Sequence, residues 1–275
     1  MNMNTKQTYI FLGCFLCVLF LIIYSWKRFT LEFFQTNRKQ LKQPKQLVVF
    51  LTHKFTDFHI DTLKKMDRHH KQIDVIVLFD NKFTVPSTVS FKHIPIIPIK
   101  KIDTSYDTLG HTLYLHYFKK NSQKLTKYDY IWIIENDVYY PDSFFKFIDI
   151  YTKPNYTYDL LVPEYGLREP KWGYLDTLQG FSKKKAIGAL CCVCRFSSRF
   201  MKYLVQTMDT RYKGYLEAVL PHYCLNTNYT IQTFNSRELG TIGIVPNSIT
   251  KQIEQDITNG TQEHIENKLY HPIKL

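Results

Sequence analysis

The chain has 275 residues, of which 44% are hydrophobic and 22% are charged. This balance excludes an intrinsically disordered chain, and the length allows one large domain, or at most two small ones, with a substantial core. The formal net charge of +12 would suit nucleic acid, anionic lipid or phosphorylated ligands. Because the positive charge is spread along the sequence and no nucleic-acid motif accompanies it, nucleic acid is the least favoured of these.

Residues 9–24 form an uncharged hydrophobic run, YIFLGCFLCVLFLIIY. As a helix this run would cover roughly 24 Å, slightly less than the ~30 Å hydrocarbon core of a bilayer. We predict a transmembrane anchor over residues 9–26, preceded by a short tail over residues 1–8. Trp26 suits the membrane interface, and the run does not end in the small residues that signal-peptide cleavage requires. A cleaved signal peptide is the alternative.

The signals for membrane orientation disagree. Lys27 and Arg28 follow the hydrophobic run, whereas a single lysine precedes it, and this asymmetry would keep the remaining chain in the cytosol. Three N-glycosylation sequons favour a lumen instead; they begin at Asn155, Asn228 and Asn259. We expect a type II membrane protein of the Golgi or the endoplasmic reticulum with a luminal body, and a cytosolic body is the alternative.

After the anchor, residues 27–46 are polar, basic and rich in glutamine, which predicts a stem. The folded domain is expected over residues 47–275. Its first half predicts strands over 47–52, 73–79, 91–99 and 128–134, with helices over 57–70, over 104–120 and from 141. This alternation predicts an α/β fold with a mixed, mainly parallel sheet flanked by helices. Ligands bind such sheets beyond the carboxyl ends of the strands.

The second half of the domain has a less regular pattern. It predicts a short strand over 159–163, a loop over 164–182, a strand over 186–195 and a helix over 198–208. The four cysteines of this half lack the paired spacing of a zinc site. A disulfide from the cluster to Cys224 and a set of buried free thiols are both open interpretations. These cysteines are Cys191, Cys192, Cys194 and Cys224.

Two acidic residues follow the strand that is predicted over 128–134. Glu135 and Asp137 are two positions apart, so in extended backbone their side chains project to the same side. Two carboxylates in this arrangement suit a hard divalent cation such as Mg²⁺ or Mn²⁺, and that cation could hold a diphosphate. The alternative is a polar loop with solvated acids.

The stretch YDYIWIIENDVYYPDSFFKFI, residues 128–148, resembles the fourth-strand region of GT-A glycosyltransferases. In both, a hydrophobic strand leads into an acidic triplet of the Asp-x-Asp type, then into a short aromatic link and a helix. The resemblance implies that Asp137 contacts the metal and that Glu135 contacts metal-bound water or the sugar nucleotide. The leading acid is Glu instead of Asp, as some members of the family allow.

Two later segments are similar to segments of the same family. Gly214-Tyr215-Leu216-Glu217 resembles the Gly-x-x-acid segment that opens a late helix in inverting members, which implies that Glu217 is the catalytic base. Residues 269–274, LYHPIK, resemble the segment that supplies a late histidine, which implies that His271 is a further metal ligand. The alternatives are a helix-dipole partner for Glu217 and an ordinary structural histidine for His271.

Residues at the ends of the first two strands are expected to face the nucleotide. They are Thr52 and His53 after the first strand and Asp80 after the second. Arg195 and Trp172 are expected on the acceptor side of the site. For the segment that contains Arg195, helix capping by Ser197 is the alternative.

Together these features predict a metal-dependent, inverting glycosyltransferase. The donor would be a nucleotide-diphosphate sugar, the cofactor Mn²⁺ or Mg²⁺, and the acceptor a glycan, glycoprotein or lipid. No glycine-rich turn suggests a dinucleotide-binding oxidoreductase, and no nucleophile elbow suggests a hydrolase. A glycosyltransferase-like binding module without catalysis and a basic membrane-associated scaffold are the two alternative functions.

Overall fold

The computed structural model describes residues 19–20, 22–27, 43–100, 113–169, 172–179, 187–207, 214–243, 247–261 and 265–275. The chain divides into two compact units, Met1–Gln43 and Pro44–Leu275. In the first unit, residues 22–27 are helical and exposed. Within the described ranges, no helix is both long and apolar enough to cross a membrane. The predicted tail lies outside the described residues, and so do most of the predicted anchor and stem.

The strands of the second unit are short, and most of them belong to one central sheet. In chain order they are β1 (Gln46–Thr52), β2 (Asp74–Asp80), β3 (Ile96–Ile99), β4 (Tyr130–Glu135), β5 (Leu160–Val162), β6 (Glu164–Leu167), β7 (Ile187–Leu190), β8 (Val193–Ser197), β9 (Ile231–Thr233), β10 (Leu239–Ile242) and β11 (Leu269–His271). The central sheet has the order β3-β2-β1-β4-β8-β5-β9, while β6 pairs with β7 and β10 pairs with β11.

Strands β1 to β4 are mutually parallel; β1, β2 and β4 are largely buried, whereas β3 is the partly exposed edge strand. Val49 of β1 pairs with Ile76 of β2 on one side and with Ile133 of β4 on the other. Strand β8 runs antiparallel to both β4 and β5. The protein therefore has the predicted α/β fold with a mainly parallel central sheet, and the carboxyl ends of β1, β2 and β4 lie at one edge.

Helices cover both faces of the sheet. They are α1 (Asp57–Asp67), α2 (Leu113–Lys120), α3 (Phe144–Ile150), α4 (Ser198–Thr207), α5 (Leu216–Leu225) and α6 (Ser248–Asn259). Alternate residues of a strand point to opposite faces. Accordingly, Trp132 of β4 lies in a core with α1 and α3, whereas Ile133 lies in a core with α2, α4 and α5. The flanking helices confirm the layered arrangement that the sequence predicts.

The link after β4 is longer than the sequence predicts. The helix starts at Phe144 and not at Pro141, because Ser143 is the N-cap and its hydroxyl accepts a hydrogen bond from the Phe145 N–H at 3.3 Å. A serine cap satisfies a helix-end N–H group that a preceding tyrosine cannot. Residues 136–143 therefore stay outside regular structure, directly beside the strand end that carries the acidic pair.

The segment predicted as one strand over 186–195 is two strands in different sheets. The chain bends at Cys191 and Cys192, so that β7 pairs with β6 while β8 enters the central sheet. The predicted loop over 164–182 accordingly contains β6, together with a short 3₁₀ turn at Gly173–Thr177. All four cysteines of this half are buried free thiols.

Candidate functional site

Three potential metal ligands converge at the carboxyl end of β4. Glu135 ends the strand, Asp137 follows two residues later, and His271 lies in β11. One ligand atom from each lies within 4.8 Å of the other two. The His271 Nε2 atom is 3.2 Å from Asp137 Oδ1 and 3.8 Å from Glu135 Oε2. The structure thus brings His271 to the acidic pair, which the sequence singles out in a separate segment.

Backbone hydrogen bonds fix the position of His271. Tyr139 and Tyr270 exchange two N–H···O bonds of 2.9 Å, and the Ile273 N–H donates to the Asp137 carbonyl at 2.8 Å. Strand β11 is held on its other side by β10. The segment that carries His271 is therefore hydrogen-bonded directly to the residues that follow β4.

The imidazole of His271 is oriented by its second nitrogen. Nδ1 lies 2.7 Å from the Gly243 carbonyl oxygen, which can only accept, so Nδ1 carries a hydrogen. Nε2 is thereby directed at the two carboxylates. Histidines that bind metals commonly donate their other N–H to a carbonyl in this way. Two carboxylates and one imidazole nitrogen are a donor set that fits Mn²⁺ and, less well, Mg²⁺.

Charged neighbours stabilise the ionised form of Asp137. Burial opposes its ionisation, but the hydrogen bonds and charges of His271 and Lys274 outweigh burial and lower its pKa to about 2. Burial likewise disfavours a charged His271, yet Asp137, Glu135 and the bond to Gly243 raise its pKa above the ordinary value. The carboxylate is therefore fully available as an anionic ligand at neutral pH.

A cavity of about 180 Å³ adjoins Asp137 and has a basic lining. It is lined by His53, Lys54, His59, Asn136, Asp137, Ile273, Lys274 and Leu275. A cavity that is lined by two lysine side chains is chemically suited to an anion.

His59, in the same lining, is held neutral. Its Nδ1 accepts the Thr56 N–H at 3.0 Å, and its Nε2 faces the Asn136 amide at 3.3 Å. Burial, then the charge of Lys54, lowers the pKa of His59 to about 4. This histidine connects the start of α1 to the residue between the two acids, so its role in the structure is to support the site.

The residues predicted to face a nucleotide divide into two groups. His53 is exposed at the end of β1, and the charges of both Asp80 and Asp137 act on its imidazole, although burial and Lys54 dominate and lower its pKa. Asp80 is buried, and its Oδ1 accepts the Lys82 N–H at 3.0 Å. Thr52 is also buried, and its hydroxyl donates to the Lys54 carbonyl at 2.5 Å. Thr52 therefore closes a turn and does not face the cavity.

Glu217 lies on the same side of the sheet as Glu135. It is the second residue of α5, whose start follows Gly214 at φ +145°, where a Cβ would lie 3.0 Å from the Thr177 carbonyl oxygen. Glu217 and Glu135 both act on Tyr174: burial first, then Glu217, Tyr215 and Glu135, raise its pKa. Glu217 and Glu135 therefore both lie within electrostatic range of the Tyr174 side chain.

The prediction that Arg195 contacts an acceptor is wrong. Its side chain is fully buried and donates to the carbonyls of Tyr151, Tyr156 and Tyr158 at 2.5, 2.6 and 3.0 Å. Burial lowers the pKa of its guanidinium to about 10. The alternative interpretation of this segment is confirmed, because the Ser197 hydroxyl accepts the Phe200 N–H at the start of α4.

Trp172, the other residue predicted on the acceptor side, is partly buried and directly precedes the 3₁₀ turn. Its ring covers Gly188 so closely that a Cβ there would lie 2.3 Å from it. It also makes an edge contact with Tyr174, with ring centroids 5.1 Å apart. Tyr174 in turn stacks on Tyr215 at 4.5 Å, so the three rings form an aromatic row that leads towards Glu217.

Sequence reasoning missed Lys54, Lys274 and Gly243. Lys54 directly follows the predicted nucleotide-facing His53, and Lys274 lies within the segment that supplies His271, so adjacency was a usable signal for both. Gly243 contributes only a carbonyl oxygen, and nothing in its residue type could have identified it.

Comparison of the chain with protein-family models and with curated proteins gave no match. The geometry of the site and the chemistry of its residues are therefore the basis for a function.

Proposed function

We propose that this protein is a metal-dependent glycosyltransferase that moves a sugar from a nucleotide-diphosphate donor to a glycan, glycoprotein or lipid acceptor. One observation carries the proposal: Glu135, Asp137 and His271 converge at the carboxyl end of a parallel strand, with ligand atoms within 4.8 Å. The mainly parallel sheet is compatible with a GT-A-like fold. In sheets of this kind, ligands bind at that edge.

Asp137 and His271 would hold the metal, and Glu135 would coordinate it directly or through a metal-bound water. A bound Mn²⁺ or Mg²⁺ would supply charge neutralisation for the departing diphosphate. His53, Lys54 and Lys274 line the adjoining cavity, so they would contact the anionic part of the donor. Asp80, at the end of β2, would reach the ribose or the base.

Glu217 would act as the general base. Its carboxylate would accept the proton of the acceptor hydroxyl while that oxygen bonds to the anomeric carbon and the diphosphate leaves. Direct attack of this kind inverts the anomeric configuration. The proposal is supported by the position of Glu217, whose charge and that of Glu135 both reach Tyr174. The acceptor would enter past Trp172 and Tyr174.

For localisation, we infer a type II arrangement with a hydrophobic anchor over residues 9–26 and a luminal body. All three sequon asparagines, Asn155, Asn228 and Asn259, are exposed, so folding would leave them accessible to modification. Treating the cell-expressed protein with an N-glycosidase tests the inference. A decrease in apparent mass on electrophoresis supports a luminal body. An unchanged apparent mass argues for a cytosolic body.

Activity is tested with the full-length protein in a donor-hydrolysis screen across common nucleotide sugars, with Mn²⁺ or with a chelator. We expect Mn²⁺-dependent release of nucleoside diphosphate from at least one donor, and its loss in Asp137→Asn. The matched control is Asp142→Asn, because Asp142 lies in the same link but pairs with Lys146 and belongs neither to the three-residue group nor to the cavity lining. Equal activity in Asp137→Asn and the control would refute the metal assignment.

The base assignment needs a separate variant. Glu217→Gln removes the proton acceptor but keeps the shape, so donor binding should persist while transfer falls by roughly 10²–10⁴-fold. Donor binding without transfer in the native protein, together with full tolerance of Glu217→Gln, would favour a non-catalytic binding module. Steeply salt-dependent binding to anionic lipid with indifference to Mn²⁺ would favour a membrane-associated scaffold.

A further inference from the structure

The carboxylate of Asp137 is shared between two basic side chains. His271 Nε2 faces Oδ1 at 3.2 Å, whereas the ammonium of Lys274 forms an ion pair with Oδ2. The Lys274 N–H donates to Glu254 Oε1 at 2.5 Å, which fixes the main chain. The Lys274 side chain is 57% exposed, so its ammonium can change partners without disturbing the fold.

A divalent cation and the Lys274 ammonium would repel each other at Asp137. A metal that binds Oδ1 would lie on the same carboxylate as the ammonium on Oδ2, and like charges at such separations repel. Solvent screens the repulsion because the lysine is largely exposed. We therefore expect Lys274 to weaken the binding of a metal alone by roughly two- to fivefold.

A bound diphosphate would reverse the effect of Lys274. Lys274, Lys54 and Asp137 line one cavity, and Lys54 is held there by a 2.9 Å hydrogen bond to the Leu275 carbonyl. An anion in this cavity would contact the metal on one side and the two ammonium groups on the other. Charge-assisted hydrogen bonds to phosphate would then replace the ion pair of Lys274 with Asp137.

We propose that Lys274 makes metal and diphosphate bind cooperatively, because its ammonium opposes the metal alone and stabilises the metal–diphosphate pair. The inference rests on the metal site of the proposed function. Coupling of this kind is reciprocal, so each ligand raises the affinity of the other by the same factor. The consequence for the enzyme is a site that holds its metal firmly only together with a phosphorylated ligand.

Two probes test this coupling in the full-length protein. Free Mn²⁺ is followed by electron paramagnetic resonance, and a preformed Mn²⁺–pyrophosphate complex is titrated by calorimetry. In Lys274→Met, Mn²⁺ alone should bind roughly two to five times more tightly, whereas Mn²⁺–pyrophosphate should bind at least severalfold more weakly. Lys274→Arg keeps the charge and should behave like the native protein. Lys146→Met is the matched control, since Lys146 also pairs with an aspartate but does not line the cavity.

The opposite signs distinguish coupling from a structural role, which would move both affinities in one direction. Affinities that both fall, or that do not change, in Lys274→Met would overturn the inference while leaving the metal site in place. If Mn²⁺ fails to bind the native protein, or binds Asp137→Asn equally well, the metal site itself is wrong and the inference is rejected with it.

Discussion

The central sheet carries two clusters of charged residues, one at the carboxyl end of β4 and one around Arg195 of β8. The two clusters differ in the partners of their charged groups. The Arg195 cluster, formed by Arg195, Asp159 and Arg199, makes its hydrogen bonds within the chain: both terminal nitrogens of Arg195 donate to backbone carbonyls. Asp159 alone accepts hydrogen bonds from the Ser197 hydroxyl, the Thr230 N–H and the Arg199 guanidinium. This cluster ties the loop after α3 to β8 and α4.

The acidic cluster of Glu135, Asp137 and His271 instead brings two carboxylates close together. Its two carboxylates share one imidazole, whose other nitrogen is already bound to Gly243. Two carboxylates that converge at a strand end, beside a cavity, indicate a binding site. A buried guanidinium that is bonded to backbone carbonyls indicates a structural framework. The sequence singled out Arg195 as well as the acidic residues as candidates for function, and their partners in the structure separate them.

The largest effect on stability is expected in the Arg195 cluster. Arg195→Met keeps the apolar stem but leaves one buried carbonyl and two partly buried carbonyls without their donors, which should lower the free energy of unfolding by about 4 kcal/mol. Urea denaturation at pH 7 measures the change. A loss of less than about 1 kcal/mol would mean that Arg195 is not part of the framework.

The next largest effect is the pH dependence of stability that comes from His59. This residue lies beside the acidic cluster, but its two ring nitrogens face partners within the chain, Thr56 and Asn136. An unfolded histidine titrates near pH 6.5, whereas folded His59 has a pKa of about 4. The contribution of neutral His59 to the free energy of unfolding is complete above pH 6.5. It is lost as the pH falls from 6.5 towards 4, since in this range only the unfolded chain takes up the proton. The loss should reach about 3 kcal/mol.

The variant His59→Gln isolates this contribution, because the other titrating groups stay the same. Unfolding free energies of both proteins are compared at pH 7, 5.5 and 4.5. The variant should lose less stability on acidification than the native protein, and parallel pH profiles would contradict the assignment of a neutral, buried His59.

A smaller effect should come from metal binding in the acidic cluster. Mn²⁺ at about one hundred times its dissociation constant should stabilise the native protein by about 2.7 kcal/mol. Asp137→Asn should abolish this increment, and thermal unfolding with and without Mn²⁺ measures it. An increment of equal size in Asp137→Asn would show that the ion binds elsewhere.

The smallest effect is expected at Arg199. Arg199→Met makes the same chemical change as Arg195→Met, the replacement of a guanidinium by a thioether. However, the Arg199 side chain is 58% exposed, and Asp159 keeps its other donors. The loss should stay below about 1 kcal/mol. A loss as large as that of Arg195→Met would remove the distinction between exposed and buried members of the cluster.

The parallel half of the fold could be predicted because β1, β2 and β4 are nearly continuous apolar runs. Such runs are typical of strands that helices bury on both faces of a parallel sheet. Glu135 and Asp137 were found from their position at the end of such a run. The bend at Cys191 was missed, since a local pattern does not reveal that one half of an apolar segment pairs with β6 and the other with β4. Arg195 was misassigned because its partners are backbone carbonyls, which carry no signal in the sequence.

The position of β11 has a consequence for how the protein matures. Asp137 and its partner Lys274 are 137 positions apart, and His271 reaches the carboxylates only when β11 is paired beside Tyr139. Closing such a long loop is a slow, non-local event in folding. We therefore expect the site to be completed after the sheet that supports it, and a metal bound there would stabilise the segment of the domain that pairs last.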